Sequence, residues 1–243
     1  MYITNESASY ISSRSYSDRE NPRGTKLNCN EIGQVMASSQ PHSKHTKENE
    51  QMSFAGLYIS PEGIVIGTDS LVETYEHKNE DLEKSYYILD KSAAIAITGQ
   101  MTYGATHTSF SDIIKEISAS TLRGYAVELY DKLKEYKCEA VTVIWIVGCE
   151  DGISIKYDIT GNPTDSSWDL QAKFVFKGTS ETYFSGPAWA REYAMSCSVK
   201  TNSIETIKES LRSIVEAICE ADNKPMLRRN VIGGKVDIVT VLP

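Results

Sequence analysis

Hydrophobic positions take on a regular spacing only from residue 53 onward. Residues 1–51 are rich in Ser, Asn, Glu and Lys, and no apolar period of 2 or 3.6 runs through them. Such a stretch buries too little surface to offset the entropy of ordering it. We expect residues 1–52 to form a disordered or propeptide-like N-terminal extension rather than a domain. The pattern then changes abruptly. Alternating and continuous apolar runs predict strands over 54–59 and 64–68, joined by the turn Ser60-Pro61-Glu62-Gly63 with Pro early and Gly late. A polar loop over 73–83 follows. Two further strands, 85–89 and 93–98, flank Asp90-Lys91, and Gly99 ends the second.

The period next becomes helical. Phe110, Ile113, Ile114 and Ile117 mark one amphipathic helix, and Leu122, Tyr125, Ala126, Leu129 and Leu133, with Tyr136 closing it, mark a second. A hairpin over 140–149 and 153–159 surrounds Glu150-Asp151-Gly152, and 171–176 reads as another strand. Gly186-Pro187 opens a short helix through Ala194, where a missing N–H costs little. Ile204, Ile207, Leu211, Ile214, Val215 and Ile218 form the apolar stripe of a long helix, and Gly233-Gly234 leads into a last strand over 235–242. Most strand connections are too short for crossovers, so the sheets should be antiparallel. Pairs of helices between hairpins predict an α+β fold, a four-layer αββα sandwich of two antiparallel sheets flanked by helices, over residues 53–243. No repeat of twenty to fifty residues suggests a solenoid or propeller.

Charge and composition narrow the function classes. The formal net charge of −8 argues against nucleic acid as a partner, which usually meets a basic face. The charges of residues 1–51 balance, so the acidity belongs to the body. The longest apolar runs, such as AVTVIWIVG, are strand-length, so no membrane partner is expected. Five scattered cysteines without a CxxC pair suggest reduced thiols and a cytoplasmic location, and the first residues lack a secretory signal pattern. The four histidines form no ligand pattern, so no metal is expected.

Candidate chemistry gathers at the first hairpin. Ser53 begins its first strand, Asp69 ends its second, and Lys84 begins the third. The start of one hairpin strand lies beside the end of the next, and a third neighbouring strand would bring Lys84 beside both. A serine hydroxyl needs a base to become a nucleophile. In a chain that began at Ser53, the α-amine, with a pKa of about 8, could be that base. Lys84 would support developing negative charge, Asp69 would hold the lysine, and the Gly99 N–H could receive an oxyanion. The plainer reading, in which Ser, Asp and Lys are solvated turn residues, stands beside it.

The spacing resembles the β-subunits of proteasomes and their two-tier bacterial relatives, members of the N-terminal nucleophile (Ntn) hydrolase superfamily. SFAGLYISPEGIVIGTDS places Asp69 sixteen residues after Ser53, and KSYYILDKSAAIAITG is similar to the family's lysine, strand, turn and terminal Gly. YFSGPAWAREYA resembles the Ser-Gly turn before a helix, and GGKVDIVTV resembles the final strand. The resemblance implies the αββα fold and a hydrolase that cleaves peptide or amide bonds through an acyl-enzyme on Ser53, chemistry that needs no organic cofactor. It also implies supporting roles for Ser185 and Asp222, and a substrate pocket walled by Val72, Ile97 and Met101. The partners it implies are a peptide or protein substrate, other copies of the chain in a homo-oligomeric ring, and an ATP-dependent unfoldase.

This chain departs from the family in four places: Lys84 lies one residue short of the usual spacing, MLRRNVIGG offers no counterpart of the family's supporting Ser after the late Asp, and two differences fall at the proposed start. Its nucleophile is Ser rather than Thr, and Met52 stands where self-cleaving members carry Gly. Met52-Ser53 could instead be a translation start from which the methionine is removed. Two alternatives follow: a catalytically inactive subunit with a structural or interaction role, and a small-molecule amidase of the same superfamily.

Overall fold

A computed structural model of the chain describes residues 53–73, 78–79, 82–176, 178–198, 201, 203–222 and 232–243. The expected extension over 1–52, Met52 included, lies outside the described residues, as do much of the 73–83 loop and the side chain of Val72. The chain is α+β. Thirteen described strands and four helices follow one another as β1 (Ala55–Ser60), β2 (Gly63–Asp69), β3 (Val72–Glu73), β4 (Lys78–Asn79), β5 (Ser85–Ile88), β6 (Ala93–Thr98), β7 (Thr102–Tyr103), β8 (Thr108–Ser109), α1 (Phe110–Lys115), α2 (Leu122–Leu133), β9 (Thr142–Glu150), β10 (Ile153–Asn162), β11 (Ser167–Val175), β12 (Glu181–Ser185), α3 (Ala188–Cys197), α4 (Ile204–Asp222) and β13 (Val236–Val241).

Two antiparallel sheets carry the fold. The first has the order β12-β1-β2-β13 and the second β11-β10-β9-β6-β5. Side-chain alternation divides each central strand between two environments. In the first sheet, Leu57, Ile59, Ile64 and Ile66 share a core with Ala94, Ala96, Trp145 and Val147 of the second. The opposite face, through Phe54, Tyr58 and Val65, meets the stripe of α4 and part of α3. In the second sheet, Ile95, Ile97, Ile144 and Ile146 face α1 and α2. Both faces of β1 and β2 are therefore covered, and every residue of these two strands is buried. One lateral side of the inter-sheet space is tied by the Thr240 N–H, which donates to the Tyr87 hydroxyl at 3.2 Å.

Local chemistry explains most boundaries. Ser109 and Thr121 cap α1 and α2 by accepting from the Asp112 and Gly124 N–H groups, each at 3.1 Å. Asp151 and Gly152 both take positive φ, 52° and 75°, as a tight hairpin between β9 and β10 requires. The sequence expectations need adjustment in several places. The first helix ends at Lys115, short of Ile117, and Tyr136 lies beyond the end of α2. Pro187 occupies the cap position before α3 rather than its first turn. β11 begins earlier than the expected 171, and β12 was not anticipated because its polar Glu-Thr start and the Ser-Gly-Pro after it read as a connection. Leu89, Asp90 and Lys91 all have positive φ, so β5 and β6 are joined by a left-handed turn.

A glycine pair seats the long helix. Gly56 and Gly67 stand opposite each other across β1 and β2. A Cβ on Gly67 would come within 2.7 Å of Leu211 Cγ and 3.0 Å of Ile238 Cδ1. Leu211 is fully buried. Overpacking of this kind costs about 1–3 kcal/mol, and we expect Gly67→Ala to lower unfolding stability in denaturant by that amount. Leu211→Ala should then cost less in the Gly67→Ala background than alone, because the two changes relieve one clash. Additive costs would contradict this seating.

Candidate active site

The hairpin brings its two ends together as expected. Ala55 pairs with Thr68, so Ser53, just before β1, lies beside Asp69 at the end of β2. The Phe54 N–H donates to Asp69 Oδ1 at 2.9 Å, and the Asp69 N–H donates to the Phe54 carbonyl at 3.3 Å. Lys84 arrives by a different route from the one expected. It precedes β5, which belongs to the second sheet, and its carbonyl accepts from the Ile97 N–H at 2.9 Å. Its side chain therefore reaches across the gap between sheets instead of along a neighbouring strand.

Ser53, Asp69 and Lys84 are 1%, 0% and 1% exposed, so the solvated-turn reading does not describe them. Lys84 Nζ donates to Ser53 Oγ at 2.8 Å, to Asp69 Oδ2 at 3.0 Å, and to the Leu71 carbonyl. Three acceptors match the three protons of an ammonium. Asp69 is matched as fully. Oδ1 accepts from Ser53 Oγ at 2.9 Å and from the Phe54 N–H, and Oδ2 accepts from Lys84 and from the Gly233 N–H at 3.2 Å. Burial lowers the Lys84 pKa from the usual lysine value, against the opposing pull of the Asp69 charge and hydrogen bond. The ammonium thus holds its proton less firmly than a free lysine does. A serine oxygen that accepts from a cation is placed to have negative charge on it stabilised, while its bond to Asp69 fixes the direction of its proton.

The remaining candidates surround this centre at different distances. Ser185 lies opposite Ala55 on β12, and its hydroxyl is 2.7 Å from Thr98 Oγ1. The following Gly186, at φ +138°, lies so close to the Ser53 backbone that a Cβ there would sit 2.8 Å from the Ser53 carbonyl oxygen. Gly99 has φ +104°, and a Cβ would fall 2.2 Å from the Val141 carbonyl oxygen. Glycine is required at that crossing irrespective of catalysis. Asp222 ends α4 and is fully buried; its Oδ2 accepts from the Ile232 N–H at 2.9 Å. Ile232 precedes Gly233, whose N–H donates to Asp69 and whose carbonyl accepts from the Ser70 and Leu71 N–H groups at 3.1 and 2.9 Å. Asp222 therefore reaches the centre through backbone, by fixing the segment that holds Asp69.

Two of the three residues expected to wall a substrate pocket, Ile97 and Met101, have described side chains. Ile97 is 0% exposed and belongs to the core beneath α1 and α2, and Met101 packs at the margin of that core. The Val72 side chain lies outside the described residues. Among the described residues, no three His, Cys, Asp or Glu side chains converge as metal ligands.

Sequence reasoning missed Thr98, the Leu71 carbonyl, the Gly233 N–H and Cys219. Thr98 carried a signal, as the one polar residue of the buried run AAIAIT. Cys219 carried none. It is a buried residue of α4, where burial, then the Asp69 charge, pushes its thiol up to about 12.

Compared with known proteins, the chain matches no protein-family model, and no curated protein matches it.

Two predictions follow from the burial of this centre. Asp69→Asn leaves the Lys84 ammonium without its counter-charge, and we expect a stability loss of about 3–5 kcal/mol in denaturant unfolding. Adding Lys84→Met should recover part of that loss; a double variant less stable than Asp69→Asn would contradict the pairing. The Cys219 thiol is neutral when folded, so its stability contribution is complete below its ordinary 9.0 and lost as pH rises towards about 12. Peptide mapping after brief iodoacetamide treatment at pH 8 should find Cys219 unmodified in the native protein and modified after unfolding. Equal modification in both states would contradict its burial.

Proposed function

We propose that this protein is an N-terminal nucleophile hydrolase of the proteasome β-subunit type, active on peptide or amide bonds once its chain begins at Ser53. One observation carries the reading: a buried serine hydroxyl held 2.8 Å from a lysine ammonium and 2.9 Å from the carboxylate that pairs with it. Three cores, one shared by the two sheets and one between each sheet and its helices, support the finer four-layer αββα description.

The reaction follows from these groups. With Ser53 first, its free amine takes the hydroxyl proton as Oγ attacks the carbonyl carbon. The Lys84 ammonium stabilises charge on Oγ, Asp69 keeps Lys84 charged and aimed, and the Gly99 N–H receives the oxyanion. The resulting ammonium gives its proton to the leaving amine, and the acyl group remains as an ester on Ser53. Water then adds to that ester as the amine again takes a proton, and the acid and the serine hydroxyl are released. Lys84 acts as an electrostatic group throughout, since its three protons are already committed.

A second reading, a catalytically silent subunit that acts in assembly, is favoured by Met52 at the position where self-cleaving relatives carry Gly. In a chain that retains Met52 the Ser53 nitrogen is an amide and cannot serve as the base.

Turnover separates the two readings. Protein isolated after expression of the full chain should hydrolyse some members of a fluorogenic peptide-amide panel. Ser53→Ala should lower kcat by about 10³-fold or more, and Ser53→Thr should retain measurable activity. Hydrolysis by Ser53→Ala at the wild-type rate would overturn the assignment.

A further inference from the structure

The proposed nucleophile and the proposed oxyanion donor belong to different sheets. Ser53 adjoins β1 of the first sheet, and Gly99 follows β6 of the second. Catalysis by this pair would need their separation held to a fraction of an ångström, yet no strand ladder connects β1 to β6. Polar contacts span the gap at this end of the sandwich. Lys84 is one link, and Thr68 Oγ1, donating to Ser85 Oγ at 3.4 Å, is a weaker one. The third is the 2.7 Å contact between Thr98 and Ser185, residues that are 1% and 5% exposed.

The third link touches both halves of the proposed site. On one side, Thr98 immediately precedes Gly99, and Gln100 is fixed by its N–H to Thr142 Oγ1 at 3.0 Å. The turn is therefore anchored to β9 after the glycine and to β12 before it. On the other side, Ser185 pairs with Ala55, and Gly186 abuts the Ser53 carbonyl. Alternation along β6 explains the direction of Thr98: it shares the inter-sheet face with Ala94 and Ala96. An aliphatic side chain would fill that space but could not bond Ser185.

Resting on the reading of Ser53 as nucleophile, we propose that Thr98 is a positioning residue for the reaction, which through Ser185 sets the Gly99 turn against Ser53. Thr98 does not touch the substrate. Its hydroxyl fixes the relative placement of the nucleophile's strand and the oxyanion turn, and so acts on the chemical step rather than on substrate affinity.

The test uses protein isolated after expression of the full chain and a β-lactone probe. The lactone ring opens as its acyl carbon bonds to Ser53 Oγ, the ring C–O bond breaks, and the released alkoxide takes up a proton. Intact mass gives kinact and KI. A misplacement near 1 Å can cost about 100-fold in rate, and we expect Thr98→Val to lower kinact about 10- to 100-fold with KI within about twofold. Thr98→Ser, which keeps the hydroxyl, should stay within about threefold of wild type in kinact. Ser185→Ala should be slowed at least as much as Thr98→Val, and the double variant should be no slower than Ser185→Ala. Wild-type kinetics in Thr98→Val, or multiplicative losses in the double variant, would overturn the link while leaving the nucleophile assignment standing. If Thr98→Val does not fold, a Thr98→Ser kinact near wild type supports the link and a 10-fold loss overturns it. Absence of any adduct on Ser53 in the wild-type protein would overturn the nucleophile reading and the catalytic role of Thr98 with it.

Discussion

A buried lysine between two sheets is the constraint around which this molecule is organised. An ammonium removed from water is tolerable only if its protons find acceptors and its charge finds a partner. Lys84 has both, with Ser53, Asp69 and Leu71 as acceptors and Asp69 as counter-ion. Meeting that requirement fixes much else. Asp69 must end β2 beside Ser53, the 232–233 backbone must run close enough to donate to Asp69, and Asp222 holds that backbone from the end of α4. Residues separated by well over a hundred positions in the chain are thereby tied to one carboxylate.

The inter-sheet core shows the same division of labour along its length. Its middle is apolar, built from Leu57, Ile66, Ala96 and Trp145, and it supplies stability without directional demands. Its end near Ser53 is polar, with Thr68, Ser85, Thr98 and Ser185 facing across the gap. Apolar contact sets how far apart the sheets sit, while hydroxyl pairs fix how one end is registered against the other. A polar end to an apolar core suits the proposed reaction site between the two sheets, since hydrogen bonds have direction and dispersion contacts do not.

Much of this was readable from the chain. The hairpin over β1 and β2 followed from continuous apolar runs around a Pro-Gly turn, and antiparallel pairing alone brought Ser53 to Asp69. The long helix announced itself by the spacing of Ile207, Leu211, Ile214 and Ile218. What could not be read depended on packing between distant segments. Local pattern gave no reason for β5 to join the second sheet, so Lys84 was expected along a strand edge and is found spanning a gap. β12 is a short edge strand whose residues alternate little in polarity, and without it Ser185 has no register. Thr98 and Ser185 are 87 residues apart, and their contact follows only from how the two sheets stack. Ile97 illustrates the converse, since its place in a buried strand was clear but its face was not.

The proposed hydrolase requires Ser53 to be N-terminal, with its own amine as the base beside the Lys84–Asp69 pair. Intact mass together with N-terminal sequencing of the protein purified from its native host tests this most directly. The proposed function predicts a chain that starts at Ser53. A chain that starts at Met1 or Met52 would leave an amide where the base must be, and would contradict it.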